Sequence, residues 1–210
     1  MKAAVPFDPL KAVDHLCVQD AELAALINRI GPYRLKPHPT KNLFAALLRS
    51  IVYQQLNGKA ATIILARVHT VLAPFGAPTP AAIGAVSDEQ LRTAGLSRAK
   101  IAAARDLAAK CLDGTVPTWR EAKKMEEEAL LTRLTTVRGI GPWTVHMLMM
   151  FHLGRPDVMP TGDFAIRLAF KKLYRKRHDP TPETILKHAR SWQPYRSVAC
   201  WYLWRSLDPI

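Results

Sequence analysis

Val137-Arg138-Gly139-Ile140-Gly141-Pro142-Trp143-Thr144-Val145 is the stretch on which the reading of the whole chain turns. Two glycines flank one apolar residue, and Pro142 then stands where a helix can begin, its fixed φ suited to a first helical position. Such a turn points successive backbone N–H groups outward at a helix N-terminus. Without a Cβ at Gly139 and Gly141 a phosphate can come close to the backbone, and the positive end of the following helix dipole favours its charge. Thr144 can add a hydroxyl or an amide. In isolation, Gly-Ile-Gly reads first as a plain connection between two helices, and its context decides against that. The flanks are helical: residues 126–136 lead in, and an apolar helix runs on to about Leu153, so the hairpin motif spans 126–153.

The charge of the chain makes phosphate binding the better use of those glycines. The 210 residues carry 30 Lys and Arg against 17 Asp and Glu, a formal net charge of +13. Such a surface attracts polyanions and displaces their counterions. Anionic membrane is the competing partner, but the cations are interspersed with apolar residues, and no apolar run nears the roughly 18–20 residues of a span. The opening residues meet Pro6 and Asp8 too soon for a secretory leader, so no targeting segment is expected. Cys17, Cys111 and Cys200 are too few and too scattered for a disulfide framework or a cysteine metal cluster, and all three read as buried thiols.

Outward from the hairpin, the chain reads as helices punctuated by Pro and Gly, with almost no alternating strand pattern, so the expected fold class is all-α. From Thr40 to Leu56, Leu43, Leu47 and Ile51 form one i,i+4 ladder and Phe44, Leu48 and Val52 a second, which predicts a central helix buried on a wide face. Gln54, Gln55 and Leu56 end it, and Asn57-Gly58 turns the chain into a helix over about 59–72. Ser87 with Gln90 and Thr118 with Glu121 are capping boxes, and a longer helix runs from about Ser97 to Leu112. Thr161-Gly162-Asp163 opens a helix that leads into the basic run from Lys171 to Arg177. Thr181-Pro182 starts another, and an aromatic-rich helix spans about 194–207.

Together with Asp163 in Pro160-Thr161-Gly162-Asp163-Phe164-Ala165-Ile166-Arg167, twenty positions after Trp143, the hairpin stretch resembles the helix-hairpin-helix DNA glycosylases. Gln54-Gln55-Leu56, Ala94-Gly95-Leu96-Ser97-Arg98-Ala99-Lys100, Trp192-Gln193-Pro194-Tyr195-Arg196-Ser197 and Tyr202-Leu203-Trp204-Arg205 follow the order seen in the 3-methyladenine DNA glycosylase II branch, so the resemblance spans about 40–207. It implies two helical subdomains flanking a cleft that holds the active site, with residues 1–210 a single glycosylase domain. The chain looks like a compact form without the additional amino-terminal domain of many bacterial relatives.

The resemblance also implies the chemistry. Excising a base is glycoside hydrolysis through a sugar with oxocarbenium character, which a nearby carboxylate stabilises while orienting or deprotonating water. Asp163 matches the family's catalytic Asp, and its position just before an apolar stretch reads equally as a helix N-cap. Many relatives have a second acidic residue immediately before it, where this chain has Gly162. Strand-cleaving relatives use a hairpin lysine as a Schiff-base nucleophile; here Trp143 occupies that position, so no lyase activity is expected. An indole suits a cationic alkylated purine instead, by stacking and cation–π attraction. The other reading of Trp143 is a core tryptophan on one face with Met147 and Met150.

Tyr195 resembles a second aromatic wall of the base pocket, and Met147 stands where some relatives have an aromatic ring. Trp201, Tyr202 and Trp204 read as packing residues and His146 as a lone histidine in an apolar helix. Gln54, Gln55 and Leu56 resemble the family's wedge loop, from which either a glutamine or Leu56 fills the space left by an extruded nucleotide. The carbonyls of Thr135, Val137 and Ile140 match a site where related hairpins bind Na+ or K+; no other cofactor is implied. The implied partner is duplex DNA carrying alkylated bases, approached by a monomer, cytoplasmic and nucleoid-associated in a bacterium or nuclear in a eukaryote. The rival readings are a hairpin module that only grips DNA and a glycosylase for a different base lesion.

Overall fold

Helix starts in this chain are written in its capping residues, and the structure follows them. The computed structural model describes residues 5–38 and 42–208; the expected helix start at Thr40 lies outside them. The elements are α1 (Pro9–Gln19), α2 (Ala21–Ile30), α3 (Leu43–Tyr53), α4 (Gly58–Leu72) with a short 3-10 turn at Ala73–Phe75, α5 (Pro80–Ala85), α6 (Asp88–Thr93), α7 (Arg98–Leu112), α8 (Trp119–Lys124), α9 (Glu127–Thr135), α10 (Pro142–Phe151), α11 (Phe164–Leu173), α12 (Pro182–His188) and α13 (Arg196–Arg205). No strand occurs among the described residues. Both expected capping boxes form, at Ser87/Gln90 and Thr118/Glu121. Asn57, Ser97 and Thr181 cap α4, α7 and α12 with their side-chain oxygens. The chain divides into two compact units, Thr40–Leu148 and Met1–Pro39 with Met149–Ile210, the division falling within α10.

In the unit 40–148 the centre is α3, whose two ladders bury Leu43, Phe44, Leu47, Leu48, Ile51 and Val52. Full burial of each such side chain stabilises by about 1.5–3 kcal/mol, enough to fix the orientation of α3. α7 packs against both α3 and α5. From α7, Arg105 donates to the carbonyls of Ile83 and Val86 and pairs with Asp88 at 2.8 Å, satisfying carbonyls at the C-terminal end of α5 that have no helical partner.

The other unit joins chain segments far apart in sequence, with α2 and α11 both packed on α13 and α1 on α2. Its polar centre is Asp20, 8% exposed, which sits between α1 and α2. Asp20 Oδ1 caps α2 by accepting from Leu23 N at 2.9 Å. Oδ2 accepts from Tyr174 Oη at 2.6 Å, His188 Nε2 at 2.8 Å and Trp192 Nε1 at 2.9 Å. Burial by itself would raise this carboxyl, but the hydrogen bonds from His188, Tyr174, Leu23 and Trp192 prevail and hold it far below the usual range. One carboxylate therefore ties the N-terminal helices to residues more than 150 positions away.

Candidate active site

In the unit 40–148 the hairpin between α9 and α10 is a built structure. Gly139 adopts φ +77, a left-handed conformation that a residue with a Cβ enters only at a cost. Gly141 is different: its φ is unremarkable, and an added Cβ would meet nothing within 4 Å, so its bareness is not required by packing inside the protein. Ile140 and Val137 are buried and anchor the turn from below. From α7, Asp106 Oδ2 accepts from Arg138 N at 2.7 Å and from Lys110 Nζ at 2.8 Å. Lys110 also donates to Thr136 O at 2.5 Å. Burial pushes the Asp106 carboxyl up, but Arg138 N–H and Lys110 outweigh it, so the carboxyl stays below its ordinary value and remains an acceptor. The i,i+4 spacing of Asp106 and Lys110 was visible in the sequence, though not its target.

The loop of Gln54, Gln55 and Leu56 is tied to the same turn. Gln54 Nε2 donates to Gly139 O at 2.6 Å. Lys100 Nζ donates to Val52 O at 2.7 Å, capping the end of α3. Gln54 is thus engaged at the hairpin, whereas Gln55, at φ 57, and Leu56 are exposed at the tip of the turn. Trp143 is 51% exposed at the start of α10, which removes the core reading of this residue. Met147 is half-buried and Met150 fully buried. Thr144 is 6% exposed, so its hydroxyl is poorly placed to meet a phosphate, and the first-turn amides of α10 are the better donors. His146 approaches Glu127 at 3.8 Å, and burial lowers its pKa, so it is a half-buried neighbour of a carboxylate within its own unit.

In the other unit Asp163 is the N-cap of α11, 8% exposed. Its Oδ1 accepts from Ile166 N at 2.8 Å and from Trp204 Nε1 at 3.1 Å. The N-cap reading of Asp163 holds, and the capping bond fixes the carboxylate in place. Trp204, expected to be packing alone, also orients this carboxylate, while its ring stacks on Phe151 with centroids 5.6 Å apart. The strap that delivers Asp163 is pinned as well. Arg196 forms a two-pronged pair with Asp157, Nε to Oδ1 at 2.7 Å and a terminal nitrogen to Oδ2 at 2.9 Å, and Ser197 Oγ accepts from Val158 N at 2.9 Å. Arg196 and Ser197 of the Tyr-Arg-Ser motif thereby hold residues 157–158, and Asp163 N closes the following turn on Pro160 O at 2.9 Å.

Tyr195 is half-buried, edge-on to His15 at 5.5 Å and tilted against Phe7 at 6.0 Å. No local pattern marks residues before position 40 as bracing this ring. Cys200 lies buried beside Val158 and Met159; burial first, and then the Asp163 charge, push its thiol far up, so it is no nucleophile. Cys17 and Cys111 are only half-buried, against the expectation of three buried thiols, and all three are free. Among the described residues no group of three His, Cys, Asp or Glu could hold a metal ion, and no helix is long and apolar enough to cross a membrane.

The sequence model described as "HhH-GPD superfamily base excision DNA repair protein" matches residues 48–194. The chain is 37% identical over 197 residues to DNA-3-methyladenine glycosylase 1 of Schizosaccharomyces pombe, covering 93% of this chain and 86% of that protein. Among solved structures, a Schizosaccharomyces pombe 3-methyladenine DNA glycosylase in complex with abasic DNA superposes with a TM-score of 0.80 at 37% identity, covering 93% of this chain and 96% of the other. A DNA-3-methyladenine glycosidase from Bacillus halodurans superposes with a TM-score of 0.85 at 35% identity, covering 98% and 92%.

Proposed function

Because the chain belongs to the helix-hairpin-helix superfamily of base excision DNA repair proteins, we propose that it hydrolyses the N-glycosidic bond of alkylated bases in duplex DNA. The single observation that carries this is the Asp163 carboxylate, buried and held by two donors on one oxygen. A carboxylate fixed in advance stabilises a developing oxocarbenium without reorganising at the moment of reaction, and it can align the attacking water. N-alkylation gives the base a positive charge, which makes it a good leaving group. The exposed indole of Trp143 is suited to attract such a base by cation–π interaction, and 3-methyladenine and 7-methylguanine are the substrates that fit.

Trp143 supplies no amine where strand-cleaving relatives have lysine, so the product is an abasic site left intact. The hairpin holds backbone phosphate through its amides, which positions the duplex without reading its sequence. With Gln54 engaged at Gly139, the wedge falls to Gln55 and Leu56. The carbonyls of Thr135, Val137 and Ile140 remain the proposed seat of a Na+ or K+ ion. Val137 O accepts from Ile140 N at 3.0 Å, and a carbonyl has a second lone pair for a cation. The ion would neutralise phosphate charge at the turn and takes no part in bond cleavage.

The test is Asp163→Asn, which keeps an oxygen to cap α11. Excision from methylated duplex should fall by several hundredfold or more, in keeping with the loss of one preorganised electrostatic group worth roughly 10²–10³ in rate. Affinity for abasic duplex should change little. Equal loss of binding and rate would reduce Asp163 to a structural cap.

A further inference from the structure

Directly after Asp163 the chain exposes an aromatic ring that folding does not use. Phe164 is 78% exposed, more than Trp143 at 51% or Phe75 at 49%. As the first residue of α11 it contributes neither the cap nor the buried face, which is made by Ile166, Ala169 and Phe170. One turn on, at the i,i+3 position beside it, is Arg167. Its Nε is buried with no hydrogen-bond partner, so the hydrogen bonding of this guanidinium is incomplete in the free protein. Arg167 also acts on Asp179: after Lys171, which bonds Asp179 at 2.7 Å, it helps hold that carboxyl below its usual value. An exposed ring and an incompletely bonded cation, side by side at the end of the helix that carries the catalytic carboxylate, match a nucleotide: a flat face to stack on and a phosphate to pair with.

We infer that Phe164 stacks on the lesion-bearing strand beside the reacting sugar, with Arg167 pairing the adjoining phosphate. The inference rests on the glycosylase reading for the identity of the strand, and its chemistry requires only DNA. Stacking on an aromatic ring is tolerant of sequence because every base has a π-face, so Phe164 adds affinity for a distorted site without base selectivity. Arg167 adds a salt-dependent contact.

The experiment is fluorescence anisotropy with a labelled duplex carrying one tetrahydrofuran abasic analogue, and with the undamaged duplex, for wild type, Phe164→Ala, Phe164→Trp and Arg167→Gln. Phe164→Ala should bind the abasic duplex about tenfold more weakly, the scale of one lost base–aromatic stack, while its affinity for undamaged duplex changes much less. Phe164→Trp should restore binding, and the melting temperatures of both variants should match wild type because the ring is exposed. Arg167→Gln should lower the slope of log affinity against log salt concentration by about one. Wild-type affinity of Phe164→Ala for abasic duplex, or a loss explained by a lowered melting temperature, overturns the inference. If the wild type releases no base from methylated DNA yet Phe164→Ala still loses abasic binding, the glycosylase reading fails and the contact stands.

Discussion

Trp204→Phe isolates one hydrogen bond of the proposed catalytic group. The phenyl ring can keep the stack on Phe151, and the Ile166 N–H still holds Asp163 Oδ1 at 2.8 Å, so the helix cap survives. What disappears is the indole N–H at 3.1 Å from the same oxygen. A hydrogen bond to a charged group contributes about 1.5–3 kcal/mol, and 3.1 Å is near the long end of the N–H to O range, which points to about 1.5–2 kcal/mol. At about 1.4 kcal/mol per factor of ten, the maximal single-turnover rate should fall roughly 10- to 30-fold. The assay is excision from a methylated duplex with enzyme in excess, which separates that rate from the enzyme concentration at half-saturation. Half-saturation should stay within about twofold of wild type, since the lost bond orients the carboxylate and makes no contact with the DNA. In an Asp163→Asn background the same substitution should add little, because the two residues act as a unit. An unchanged maximal rate, or parallel losses in rate and binding, would refute the claim that Trp204 orients the carboxylate.

The two hairpin glycines should separate in their effects. Gly139→Ala forces a Cβ into φ +77 and should destabilise the fold by about 1–2 kcal/mol in thermal or urea melts, whereas Gly141→Ala should melt like wild type and lose DNA affinity only. Gln54→Leu removes the bond to Gly139 O and should weaken binding to abasic duplex several-fold, with Leu56→Ala giving a comparable loss by a different route; a Gln54 variant that binds normally would dissolve the link between wedge loop and hairpin. Asp20→Ala leaves the buried Trp192 and the half-buried Tyr174 and His188 without their acceptor and should cost about 3–5 kcal/mol. Because the folded carboxyl lies below its unfolded value near 3.9, that stability is fully present above the unfolded pKa and is lost as pH falls toward the folded one. The stability gap between wild type and Asp20→Ala should therefore narrow as urea melts are moved from about pH 6 to pH 3, and a gap constant with pH would contradict the ionised-carboxylate account.

How far the sequence could be read depends on the range of the interactions concerned. The ladders of α3 and the caps at Ser87, Ser97, Thr118 and Asp163 are local, set by residues three or four apart, and these elements stand where their sequence signals place them. Nothing local marks Asp20 as the acceptor for Tyr174, His188 and Trp192, because these positions are more than 150 residues away. Trp204 and Asp163 show the same limit: an indole N–H on a late helix has no sequence mark of the acceptor it will find. Phe7 and His15 beside Tyr195, and Arg196 with Asp157, were invisible for that reason also. Motif position pointed to the candidate residues, while the donors that fix them come from tertiary packing.

The measurement that tests the central claim most directly is chromatography of the free bases released from methylated duplex DNA in EDTA, with the strand examined for breaks before and after alkali. The account predicts release of 3-methyladenine and 7-methylguanine by wild type but not by Asp163→Asn, with breaks only after alkali. No release by a protein that binds the duplex tightly, or breaks formed without alkali, would contradict it.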